Sequence, residues 1–263
     1  MKLVLLGTGG LMPSDQAQTA CFFLPEVGVL LDAGSGLYRL RHYLQTSQLE
    51  VYLTHAHGDH TSGLIYLFGS YLVDAIVRQP GGVDVGNIGG LVRVANERLH
   101  TATRVHANQP ALDFLCKEYE PYQMDWHLLR DQEELPGGGR LTSFAVGQGV
   151  EVGFRLDWPG HSLAYVTDTP SRPDEVLYLE QIRGVDVLLH DGYGPDRLAS
   201  LITRVHHAHT SAVARIAALA EVGRVILVHK SPLPEWSAQE DLPAARAIFP
   251  NLVIGEDLQE IEF

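Results

Sequence analysis

Four side chains that can bind a metal ion fall within six residues of this 263-residue chain. They are His55, His57, Asp59 and His60 in the segment Thr54-His55-Ala56-His57-Gly58-Asp59-His60. Leu49–Thr54, immediately before the first histidine, reads as a buried strand. Two imidazoles flanking one small residue at the exit of a strand can converge on one ion. Gly58 allows a tight bend, after which Asp59 and His60 can face a second ion. Imidazole and carboxylate donors suit zinc, manganese or iron(II). A pair of such ions can activate water and stabilise the charge that develops during hydrolysis.

The elements that must position these side chains alternate between strand and helix. Strand signals occur at Leu3–Leu6, Cys21–Leu24, Val27–Asp32, Val105–Asn108 and Trp126–Leu129 in the first half. The second half adds Leu141–Val146, Val150–Leu156, Leu163–Thr167, Val185–His190, Val225–His229, Leu252–Ile254 and Leu258–Ile261. Helices are expected at Ser35–Gln45, from Asp59 through Phe68, and at Leu91–Leu99, Pro110–Glu120, Pro173–Ile182, Ser211–Glu221 and Ala238–Phe249. Pro80–Gly90 is Gly-rich and reads as a loop, and Pro159-Gly160 as a hairpin turn. No Pro/Ser-rich linker divides the chain. One α/β domain spanning 1–263 is expected, with helices covering two packed sheets and an insertion around 68–104.

His-x-His-x-Asp-His is the signature of the metallo-β-lactamase superfamily, which the chain resembles. The opening Leu6-Gly7-Thr8-Gly9-Gly10 and the stretch Leu31-Asp32-Ala33-Gly34-Ser35-Gly36 resemble its ribonuclease Z and phosphodiesterase branch. The resemblance runs from Leu3 to His229 and implies a four-layer αββα sandwich. It also implies two divalent metal ions held by His55, His57, Asp59, His60, Asp168 and His229. Asp168 would bridge the two ions, because only a carboxylate offers two oxygens to two cations. His209, before a helix, resembles a histidine that helps catalysis by stabilising charge or protonating the leaving oxygen. Asp191 is the candidate to orient it, and Asp59 is a candidate catalytic residue as well as a ligand.

The chain departs from that pattern at one position. The family expects a third histidine on the first metal about twenty residues before the bridging aspartate, and Gln148 stands there. An amide oxygen is a poor zinc ligand beside imidazole. His161, seven positions before Asp168, is a more distant substitute. The first ion is therefore weakened or absent, or is held by His55, His57, Asp168 and water, or the scaffold has lost catalysis.

Composition narrows the partners. A formal net charge of −13 disfavours nucleic acid, which is bound mainly through Lys and Arg contacts to phosphate. Transfer RNA is disfavoured further, since the 68–104 region supplies only Arg78, Arg93, Arg98 and Arg104 rather than a basic arm. The two cysteines, Cys21 and Cys116, form no disulfide framework and are expected as buried free thiols. The N-terminus reads as a strand rather than a signal peptide, and no run reaches the ~18 apolar residues of a membrane helix, so a soluble cytoplasmic protein is expected. Three functions compete. The first is hydrolysis of a phosphodiester, in a small molecule or nucleotide, by a metal-bound hydroxide. The second is hydrolysis of an ester, lactone or thioester on the same site. The third is a non-catalytic metal- or ligand-binding protein. Zinc is the first choice of ion, with manganese or iron as alternatives, and a homodimer is left open.

Overall fold

The computed structural model describes residues 1–77, 88–147, 149–170, 172 and 176–263. Two seven-stranded sheets pack face to face. The first contains β1 (Lys2–Gly7), β2 (Cys21–Leu24), β3 (Val29–Leu31), β4 (Leu49–Tyr52), β5 (Thr103–Ala107) and β6 (Asp125–Leu128). The second contains β7 (Gln132–Leu135), β8 (Gly139–Ala145), β9 (Val152–Trp158), β10 (His161–Val166), β11 (Val187–Asp191), β12 (Arg224–Val228) and β13 (Leu252–Ile254). The chain then returns as β14 (Glu260–Glu262) to pair with β1 in the first sheet. Each sheet is mixed. β3–β6 run parallel in the first and β10–β13 in the second, and antiparallel pairs flank both runs.

Helices cover the outer faces. On the first sheet lie α1 (Gly58–Thr61), α2 (Leu64–Val77), α3 (Ile88–Ala102) and α4 (Gln109–Glu118); the second half contributes α5 (Leu179–Ile182), α6 (Ala199–Arg204), α7 (Thr210–Leu219) and α8 (Leu242–Ile248). Alternation along the strands sorts the core into layers. In β4, Leu49 and Val51 face the helices, whereas Tyr52 enters the layer between the sheets with Phe22, Phe154 and Tyr165. A third apolar layer joins the second sheet to α7 and α8 through Val213, Ile216, Leu227 and Ala245. The four-layer αββα sandwich follows from these three interfaces.

Several local expectations change. Ser35–Gln45 is a 3₁₀ helix over Ser35–His42 rather than an α-helix. The edge strand β7, Gln132-Glu133-Glu134-Leu135, carries no strand signal, because three of its four residues are polar and pairing with β8 alone holds it. Residues 88–90, read as loop, open α3; the centre of the 68–104 region, 78–87, lies outside the described residues, as do 173–175 of the helix expected at Pro173–Ile182. Cys21 is buried but Cys116 is exposed, since it lies on α4 opposite the buried Ala111 and Leu115. Among the described residues, no helix is long and apolar enough to cross a membrane.

Candidate metal centre

The candidate ligands leave from strand ends. His55, His57, Asp59 and His60 follow β4, Asp168 follows β10 and His229 follows β12. Three of the turning residues have left-handed backbones: Asp32 after β3 (φ 55°), Asp168 (φ 49°) and His229 (φ 55°). Non-glycine residues rarely adopt this region, and such strain gathers where a side chain must be aimed. Here it swings two candidate ligands and their supporting carboxylate to the same edge of the sandwich.

Among the described residues, three overlapping sets of donor atoms result; one joins Asp168 and His229 to Asp191 and His207, and the other two form nests around the His cluster. In one nest, His60 Nε2 lies 3.1 Å from His229 Nε2 and 3.5 Å from Asp59 Oδ2; His229 Nε2 lies 3.1 Å from Asp59 Oδ2. Asp168 Oδ1 closes it, 3.4 Å from His60 Nε2 and 3.3 Å from His229 Nε2. Tetrahedral coordination with bonds of about 2.0–2.1 Å separates ligand atoms by about 3.3 Å, so the donor set fits a zinc-sized ion. In the other nest, His55 Nε2 and His57 Nδ1 are 2.9 Å apart, and Asp168 Oδ2 is 3.4 Å and 3.9 Å from them. This nest is looser and has one donor fewer. Asp168 thus turns one oxygen to each.

Surrounding bonds fix which ring nitrogen is free. Buried Asp32 receives Thr54 N–H (2.8 Å) and the Tyr165 hydroxyl (2.7 Å), and its Oδ2 is 2.7 Å from His60 Nδ1. A proton held on Nδ1 leaves the His60 Nε2 lone pair for a metal. Thr54 Oγ1 bonds His55 Nδ1 at 3.0 Å and does the same for His55. Asp59 Oδ2 accepts the Leu11 N–H at 2.6 Å. The turn that supplies this N–H also needs Gly10, where a Cβ would stand 2.4 Å from the His229 ring. The turn is itself held by Asp257, which accepts from Thr8 N–H and Oγ1–H, Gln18 N–H and Arg39.

Electrostatics follow the same arrangement. Burial works against the charged form of Asp168, but His229 and His60 outweigh it and hold the carboxyl well below the usual range. Burial also opposes protonation of His60, yet Asp32 and Asp168 raise its pKa well above 6.5. In the metal-free protein, His60 therefore keeps a proton that a metal must displace. Metal affinity should rise with pH over the range above 6.5, and binding at pH 7 should release protons. Calorimetry in two buffers of different ionisation enthalpy reads this directly, and zero release would contradict it. The linkage has the opposite sign for metal-free folding. A raised His60 pKa adds stability that is complete below the unfolded value and is lost as pH climbs through the folded one.

The sequence expectation for the catalytic histidine changes in one respect. Asp191 Oδ2 is bonded to His207 Nδ1 at 2.8 Å, not to His209. His209 is the N-cap residue of α7, with Nδ1 2.7 Å from Asp196 Oδ1. His207 stacks on Tyr193 (4.1 Å, 9°) and lines a cavity of about 310 Å³ with His57, Asp59, Asp168 and His229. Two histidines with one residue between them are not separable by motif alone. Gln148 lies outside the described residues. His161 opens β10 behind the Pro159-Gly160 turn and rests on Phe263. Asp32, Leu11 and His207 were not foreseen as parts of the site; for Asp32 the available signal was a carboxylate closing an apolar strand.

A family model described as a beta-lactamase superfamily domain matches residues 28–230. The chain belongs to the metallo-β-lactamase superfamily. Its sequence similarity lies on the ribonuclease Z side. It is 27% identical to ribonuclease Z of Synechococcus sp. (strain CC9605), covering 100% of this chain and 98% of that one. In structure it is similar to the metallo-β-lactamase fold protein YhfI from Bacillus subtilis, with a TM-score of 0.75, 18% identity and 100% and 99% of the two chains covered. It is also similar to a diphosphatase from the PhnP family, with a TM-score of 0.68, 20% identity and coverage of 100% and 96%. Members of this superfamily bind divalent metals, and the donor nests described above suit that chemistry.

Proposed function

We propose that this metal-dependent hydrolase cleaves a phosphodiester in a small molecule or nucleotide, using two divalent ions. The observation that carries the proposal is the Asp168 carboxylate, with Oδ2 3.4 Å from His55 Nε2 and Oδ1 3.4 Å from His60 Nε2. His55, His57 and Asp168 would hold the first ion, with Gln148 as the sequence-derived candidate for a further donor. Asp59, His60, His229 and Asp168 would hold the second. Bound there, zinc, or alternatively manganese or iron, would acidify water and neutralise charge on the phosphoryl oxygens.

The remaining steps belong to the chain's own groups. His207, held by Asp191 and flat against Tyr193, is the group proposed to stabilise the leaving oxygen or protonate it; His209, engaged with Asp196, is the less favoured alternative. His207→Ala should lower kcat by about 10²–10⁴-fold and leave the metal content unchanged. An unchanged kcat would exclude the role.

A small substrate is supported by two features. The cavity over the nests, about 310 Å³, adjoins a second of about 480 Å³ through Glu151, Asp168 and His206, a size suited to compact ligands. Arg98 and Arg104 are engaged with Asp74 and Glu50 rather than presented as a basic strip. The name of the ribonuclease Z relatives nevertheless makes RNA the competing substrate. Turnover of bis-p-nitrophenyl phosphate, compared with precursor transfer RNA and with ester and lactone panels, tests the choice. Cleavage of esters alone, or of RNA alone, would replace the proposal.

A further inference from the structure

The two nests are unequal, and the inequality points to a residue outside the family's signature. The nest around His60 has four donors, while that of His55 and His57 has three, with His57 Nδ1 3.9 Å from Asp168. The His57 side chain is 70% exposed, so this nest opens into the 310 Å³ cavity. Glu151 stands in the wall of that cavity together with His57 and Asp168. It also borders the adjoining 480 Å³ cavity, again beside Asp168.

The backbone pins Glu151 there. Val152 N–H, at the start of β9, donates to the carbonyl of Thr54 at 3.1 Å, and Thr54 is the residue before His55. On the other side, Asn108 Nδ2 donates to the carbonyl of Val150 at 2.6 Å. Residue 151 thus lies between a tie to Thr54, where β4 leads into the site, and one to Asn108, the N-cap residue of α4. Gly149 gives its side chain room: a Cβ there would stand 1.9 Å from Glu151 Oε2.

We propose that Glu151 is a ligand of the first ion, giving that position two imidazoles and two carboxylates from His55, His57, Asp168 and Glu151. The proposal rests on the two-metal reading above and makes Gln148 dispensable for metal binding. His206, the other donor bordering both cavities, is less suited. It is exposed, on the loop between α6 and α7, without comparable ties to the ligand strands. Replacing a third imidazole with a carboxylate makes the position harder, which favours manganese or iron(II) over zinc relative to a three-imidazole set.

The test is metal loading of the full-length protein, stripped with chelator and titrated with cobalt(II). Absorption reports coordination and elemental mass spectrometry reports stoichiometry. Wild type should take two equivalents. Glu151→Ala and Glu151→Gln should keep one tight equivalent and weaken the other by about tenfold or more, with a changed cobalt spectrum. Gln148→Ala and His206→Ala should behave as wild type. Circular dichroism of the stripped variants checks folding, and Glu151→Gln preserves shape. If both Glu151 variants bind two equivalents with wild-type affinity and spectrum, the proposal is wrong and the two-metal reading stands. Loss of an equivalent on Gln148→Ala or His206→Ala, with Glu151→Gln unaffected, also overturns it. A wild-type protein that takes no cobalt overturns both.

Discussion

Asp168→Ala should remove metal from both positions and reduce kcat on a phosphodiester by at least about 10³-fold. A single preorganised electrostatic group is already worth about 10²–10³, and this substitution dismantles two positions at once. It takes an oxygen from each nest, and it leaves His60 and His229 without a carboxylate that both face, at 3.4 and 3.3 Å. Asp59→Ala, by contrast, removes a donor from the second nest only and should retain the first ion while still abolishing turnover. Metal content and kcat measured on both variants distinguish bridging from simple proximity. Equal residual metal in the two would mean that Asp168 serves one ion.

Asp32→Ala is expected to cost stability as well as metal. Asp32 is fully buried and accepts from Thr54 N–H and Oγ1–H and from the Tyr165 hydroxyl, beside His60 Nδ1. Removing it strands a buried hydroxyl and a buried imidazole that carries a proton in the metal-free protein. Breaking a buried charged pair in this way costs about 3–5 kcal/mol, read by urea denaturation of the stripped protein. The same change frees the His60 ring to choose the wrong tautomer, and loss of such outer partners weakens metal affinity by about 10–100-fold. A variant that is unfolded without metal and rescued by excess zinc would fit. One that unfolds like wild type would show that Asp32 does not support the site.

The contrast between these two aspartates shows how far the sequence alone could go. Asp168 was readable because it ends a strand and matches a family position that needs two oxygens. Asp32 was readable as a strand-end residue, but its partners lie 22, 28 and 133 residues away, and only the packed sheets bring them together. The His cluster was legible because its four donors fall within six residues, and the sandwich because buried parallel strands are nearly all apolar. The polar edge strand β7 was not, since its pairing rather than its pattern makes it a strand. His207 was obscured by His209, which sits in the more familiar place before a helix. Its proposed role depends on the loop after α6, which brings it back onto Asp191 at the end of β11.

The central claim is that two ions sit in the two nests that share Asp168. Elemental mass spectrometry on protein purified without chelators tests it most directly. About two ions per chain, as a two-metal mechanism requires, is the result expected. One ion per chain would leave only the tighter nest of Asp59, His60, His229 and Asp168 in use and would contradict the two-metal mechanism. No ion at all, even after zinc or manganese is restored, would contradict the metal centre itself.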